Sequence, residues 1–105
     1  MKAARAAVVC AMVLAAACKG DPVKCEKAIR NYTALVFWDG ANKEIEAKPE
    51  AERAAARKAA LGKFETDLAN GVDTLTSQCV SAGNDDQVQC MIDAKTAEDA
   101  KACTD

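Results

Sequence analysis

The chain has 105 residues, a formal net charge of −2 and no histidine, which indicates one small domain without the commonest general base and metal ligand. With a net charge this close to neutral, nothing points to nucleic-acid binding or to electrostatic membrane binding. Alanine dominates the apolar content and buries little surface, so the six cysteines are the expected means of stabilising a thin core.

The first eighteen residues have the pattern of an export signal. Lys2 and Arg5 form a short positive head, and residues 6–17 form an unbroken apolar run. That run is shorter than the about 20 residues that a transmembrane helix needs, and it suits the apolar region of a signal peptide. The small residues Ala15, Ala16 and Ala17 lead directly into Cys18, and a polar Lys-Gly-Asp sequence follows.

This junction resembles the lipobox of bacterial lipoproteins over residues 14–18. The family usually has leucine three positions before the cysteine, where this chain has Ala15, and Leu14 lies one position further out. The resemblance implies that residues 1–17 are a signal peptide, that Cys18 is lipidated, and that its lipid is the partner of a membrane. The family's sorting rules also imply that Lys19 permits transfer to the outer membrane.

The first predicted helix begins at Asp21-Pro22, which supply an N-cap and a first-turn proline. Asp39-Gly40 is the predicted stop, since glycine tolerates the left-handed cap position, with a brief resumption of the helical pattern at residues 42–48. Apolar residues at helical spacing mark its buried face: Cys25, Ala28, Ile29, Tyr32, Leu35 and Val36.

Pro49 begins the second predicted helix, and Asn70-Gly71 is its weakest point. Its apolar positions lie three or four residues apart: Leu61, Phe64, Leu68, Val72, Leu75 and Cys79. We predict a loop over residues 81–86, a third short helix with Val88, Met91 and Ile92, and a final helical turn that Thr96 caps. The pattern predicts no strand.

The expected fold is therefore all-α: a disulfide-stapled antiparallel helical hairpin with a short C-terminal helical extension. We divide the chain into the signal peptide (1–17), a lipidated N-terminus and tether (18–22) and a small helical domain (23–105).

Four cysteines remain in this domain, and an even number in an exported chain predicts two disulfides. Cys25 lies near the start of the first helix and Cys79 near the end of the second, where an antiparallel hairpin brings them together. That favours Cys25–Cys79 with Cys90–Cys103. The alternative pairs Cys79 with Cys90 and Cys25 with Cys103. The cysteine arrangement and the ending CMIDAKTAEDAKAC also resemble small four-cysteine helical envelope proteins of myxobacteria and their relatives, which implies a fold and a compartment but no chemistry.

No constellation of residues predicts catalysis. The cysteine spacing suits neither a structural zinc site nor a C-x-x-C redox centre, and no histidine is present to activate a serine. We therefore expect no enzymatic activity, no cofactor and no metal. The acidic residues of the second helix, which include Glu52 and Asp67, are expected on its solvated side. Phe37 and Trp38 lie beside the apolar stripe, and they either cover the open end of the hairpin or contact a protein partner.

The expected function is that of a lipid-anchored cell-envelope protein with a structural or protein-interaction role, expected at the outer membrane. The alternative is a soluble periplasmic or secreted helical binding protein or inhibitor that an ordinary signal peptidase releases.

Overall fold

The computed structural model describes residues 19–105, and this part of the chain contains four α-helices and no strand. α1 (Pro22–Glu46) and α2 (Glu50–Ala82) form an antiparallel hairpin, and α3 (Asp85–Asp93) and α4 (Ala97–Ala102) both pack on α1. The predicted all-α hairpin with a short C-terminal extension is confirmed. Because α1 lies between α2 on one side and α3 and α4 on the other, it is the central helix.

The predicted helix starts are present. The Asp21 carboxylate accepts hydrogen bonds from the backbone of the first turn of α1, at 2.8 Å from Val23 N, and Pro22 is the first helical residue. Pro49 immediately precedes α2. The Thr96 hydroxyl accepts from Asp99 N at 3.1 Å and caps α4. Each cap satisfies a backbone N–H that the helix itself leaves without a partner.

The predicted stop of α1 at Asp39-Gly40 is wrong, because the helix continues to Glu46. A glycine inside a helix costs only about 1 kcal/mol. The burial of Ile45, which is 3% exposed, and the packing of Phe37 on α2 oppose that cost. α2 likewise runs through Gly71 without a break.

The loop predicted over residues 81–86 is also shorter in the structure, where only Gly83 and Asn84 separate α2 from α3. Gly83 has φ 60°, and its N–H donates to Cys79 O at 3.2 Å. Asn84 then caps α3 by accepting from Gln87 N at 3.1 Å. The helix end therefore uses the left-handed glycine that such ends favour, and it turns the chain within two residues.

The buried core lies at the end of the hairpin where α3 and α4 pack, which we call the base; the turn at residues 47–49 is the distal end. The buried members of this core are Cys25 and Ala28, both 0% exposed, together with Val88 and Met91. Partly buried side chains surround it: Tyr32, Cys79, Val80, Ile92 and Cys103. The helical pair beyond this core has no third layer within residues 19–105.

Asn31 fastens α3 to the central helix. Its side-chain amide donates to Met91 O at 2.7 Å and to Ala94 O at 3.1 Å. Met91 belongs to the last turn of α3 and Ala94 directly follows it as the C-cap, and carbonyl groups at a helix end have no partner within the helix. One side chain of α1 therefore satisfies the end of α3 and fixes its position.

Candidate functional site

Two disulfides stabilise the base. Cys25 pairs with Cys79, with 5.8 Å between their Cα atoms, and Cys90 pairs with Cys103 at 5.7 Å. This is the pairing that the apolar stripes of α1 and α2 favoured in the sequence. The first disulfide joins the two ends of the hairpin, and the second joins α3 to the end of α4. Gln87 adds to this second link, because its side-chain amide donates to Cys103 O at 3.1 Å.

The N-terminal end of the described chain is packed directly against the first disulfide. The Gly20 N–H donates to Val80 O at 2.9 Å, and Gly20 is buried. A Cβ atom at this position would lie 3.2 Å from Cys25 Sγ and 3.4 Å from Cys79 O. A side chain at this position would meet the disulfide more tightly than most Cβ contacts allow, so Cys25 Sγ would have to shift by a few tenths of an ångström.

The predicted lipidation site Cys18 and the predicted signal peptide 1–17 lie outside the described residues. Within the predicted tether, Gly20 is fixed to α2, Asp21 is the N-cap of α1 and Pro22 is its first residue. The packed structure therefore includes the second residue after Cys18.

The predicted partner contacts belong to an aromatic cluster between α1 and α2, formed by Phe37, Trp38 and Phe64. The ring centroids of Phe37 and Phe64 are 5.1 Å apart, and those of Phe37 and Trp38 are 5.2 Å apart in an edge-to-face arrangement. All three residues are half-buried. Such pairs add to the stability of the hairpin, and the use of their accessible edges by a partner stays a prediction.

A cavity of about 240 Å³ adjoins this cluster on the side towards the base. Its lining is almost wholly apolar and includes Leu68, Val72 and Leu75. Leu75 is 38% exposed, so the cavity opens to solvent along α2. The aromatic cluster consequently separates this cavity from a larger groove nearer the turn.

The larger groove, which we call the distal groove, has a volume of about 900 Å³ and lies between the second half of α1 and the first half of α2. Alanine forms much of its floor, and charged residues lie along it. Among the residues that line it are Phe37, Ala41 and Glu44 of α1, Lys48 of the turn, and Glu52, Ala56, Ala59 and Lys63 of α2. No element among residues 19–105 covers this groove. The sequence did not predict this groove, although its lining residues recur at intervals of three and four residues.

Charged groups of the described chain lie on its surface. The acidic side chains of α2 that we expected in solvent are all exposed: Glu50, Glu52, Glu65, Asp67 and Asp73. Among residues 19–105, the structure has no group of three or more acidic or cysteine side chains placed to hold a metal ion. No helix of this part is long and apolar enough to cross a membrane.

Comparison of the chain with protein-family models, with curated proteins and with solved structures gave no match. The features of the structure therefore stand alone: a twice-bridged helical base, a packed N-terminal end, an aromatic cluster and an alanine-lined groove.

Proposed function

We propose that the chain is a lipid-anchored cell-envelope protein with a structural or protein-interaction role, and that Cys18 carries the lipid. The observation that carries this proposal is the position of Gly20, which is packed on the Cys25–Cys79 disulfide only two residues after Cys18. Removal of residues 1–17 would leave every described residue in place, so processing at Cys18 is compatible with the complete helical fold.

The two disulfides support export to an oxidising compartment, because such bonds persist in the periplasm and outside the cell and are rare in the cytosol. A lipid on Cys18 would also remove the thiol nearest to the fold from disulfide exchange. Two or more acyl chains give stable membrane attachment, at roughly 0.8 kcal/mol for each buried methylene group.

The test is the intact mass, without reduction, of the protein isolated from a bacterium that processes lipoproteins. We expect the loss of residues 1–17, added acyl chains and a hydrogen deficit that corresponds to two disulfides. Cys18→Ser should abolish acylation and leave the chain unprocessed. Cys10→Ser, which alters a cysteine inside the apolar run, is the matched control and should change neither result. An unmodified Cys18 on a cleaved chain would favour the released periplasmic or secreted alternative.

The interaction role is tested at the aromatic cluster. Trp38 is half-buried and lies beside Phe37 and Phe64. If a partner uses it, Trp38→Ala should abolish capture of envelope proteins by the tagged chain while the chain stays folded, with a thermal midpoint lowered only by the loss of the ring contacts to Phe37 and Phe64. A large fall of the midpoint would instead assign Trp38 to the packing of the hairpin.

A further inference from the structure

The distal groove presents two rows of side chains with the same spacing. Phe37, Ala41 and Glu44 of α1 and Lys48 of the turn follow one another at intervals of four, three and four residues, and Glu52, Ala56, Ala59 and Lys63 do so along α2. This is the spacing of the seam along which helices pack in coiled coils and four-helix bundles. The groove is therefore shaped to receive helices that lie nearly parallel to its own.

Each row can also lie against its own reverse without bringing like charges together. The midpoint of the row on α2 lies between Arg57 and Lys58. Ala56 and Ala59 lie on either side of this midpoint, and Glu52 and Lys63 lie further out. Reversing this row places small residues opposite small residues and a carboxylate opposite an ammonium group. The row therefore complements an antiparallel copy of itself.

The row on α1 behaves in the same way. Its midpoint lies between Asn42 and Lys43, and reversal places Phe37 opposite Lys48. An ammonium group over an aromatic ring is a favourable contact. Reversal places Ala41 opposite Glu44, which brings no like charges together.

Both midpoints lie at the same height along the hairpin. The Phe37 and Phe64 rings are in contact at one end of the groove, and Arg53 Nη2 donates to Glu46 O at 3.0 Å at the other. The midpoint of each row falls between these two cross-helix contacts. A single two-fold axis across the hairpin can therefore relate both rows to their copies at once.

We propose that the distal groove binds a second copy of this chain, which lies antiparallel on it and completes a four-helix bundle. The two turns then lie at opposite ends of the bundle, as a closed two-fold interface allows. Glu52 of each copy faces Lys63 of the other, and Ala56 and Ala59 form the close central contact. This inference does not depend on the lipid anchor.

Charge argues for a second copy rather than for an unrelated helix. Glu52 and Lys63 are about 16 Å apart along α2, at a rise of 1.5 Å per residue, so they do not pair within one chain. Lys63 contacts Asp67 at 3.1 Å, yet its side chain remains 68% exposed and has donors to spare. An antiparallel copy of this row supplies the opposite charge at both of its ends, at the right spacing.

The test is a charge exchange, measured by sedimentation of the full chain with its disulfides intact, in density-matched mild detergent. Glu52→Lys alone and Lys63→Glu alone each place two like-charge pairs in the interface. Each should raise the dimer dissociation constant about tenfold, which corresponds to 1.4 kcal/mol. The double variant E52K/K63E should restore the dissociation constant of the parent. Glu65→Lys and Lys58→Glu make the same charge changes at exposed positions outside the groove and should have little effect.

A photo-cross-linking residue at position 59 supplies an independent readout in intact cells. It should yield a covalent species of twice the chain mass, and the same group at Ala69, which is exposed and outside the groove, should not. A chain that remains monomeric at millimolar concentration would overturn the proposal. So would a dimer that single reversals leave unchanged, or cross-links from position 59 that lead only to a different protein.

Discussion

Removal of the Cys25–Cys79 disulfide should destabilise the protein more than removal of Cys90–Cys103. The first bond closes a sequence separation of 54 residues and the second one of 13. In the chain-entropy model these values correspond to about 4 and about 3 kcal/mol of stabilisation. Cys25 is also 0% exposed within the core, whereas Cys90 is exposed. The double variant C25A/C79A therefore loses core packing as well, which widens the difference.

The assay is equilibrium unfolding in urea, followed by far-ultraviolet circular dichroism without reductant, on the parent, C25A/C79A and C90A/C103A. Small domains have total stabilities of roughly 5–15 kcal/mol, so C25A/C79A should lose a large share of its free energy of unfolding and unfold at a much lower urea concentration than the parent. Its thermal midpoint should fall by about 4–8 °C for each kcal/mol lost. Equal losses in the two variants, or a larger loss in C90A/C103A, would refute the view that the long hairpin loop dominates the stabilisation.

Three further substitutions, with Gly62→Ala as a control, test the packing of the base and the caps, each by urea unfolding. Gly20→Val should lower the free energy of unfolding by about 1–3 kcal/mol, because the valine side chain meets Cys25 Sγ and Val80. Gly62→Ala, which lies in open space within α2, should raise the free energy of unfolding by about 0.5–1 kcal/mol. Asn31→Ala should cost about 1–3 kcal/mol through the lost bonds to α3, and an unchanged midpoint would show that α3 is held without them. Thr96→Ala should cost about 1 kcal/mol through loss of the α4 cap, and no loss would mean that the second disulfide alone orders that helix.

The starts of α1, α2 and α4 could be predicted from single residues, because capping is a local effect, whereas α3 begins at Asp85, inside the predicted loop. Asp21-Pro22, Pro49 and Thr96 determine where the backbone enters a helix, and the structure places helix starts at each of them. The stop at Gly40 failed because glycine is a weak local signal. Its cost of about 1 kcal/mol is small beside the burial of Ile45, which depends on α2.

The features that depend on contacts between helices could not be predicted from the sequence. Asn31 is one polar residue beside an apolar stripe, and its role exists only because the last turn of α3 lies against it. Phe37 and Trp38 lie beside the apolar stripe of α1 in the sequence, but their packing on Phe64 depends on the register of the two helices. The distal groove depends on the same register, because its rows on α1 and α2 form one surface only when they lie at the same position along the hairpin.

The hydrogen bond from Gly20 N–H to Val80 O would set how far a chain anchored at Cys18 can reach from the membrane. An extended chain spans at most about 3.6 Å per residue, so a Cys18 held at a bilayer surface keeps Gly20 within about 7 Å of it. α2, with 33 residues, is about 50 Å long at 1.5 Å per residue. A molecule anchored at Cys18 would then keep its base against the headgroups, and a dimer of two such molecules would lie along the membrane, because its two bases are at opposite ends of the bundle. Only a neighbour close to the same membrane could meet it.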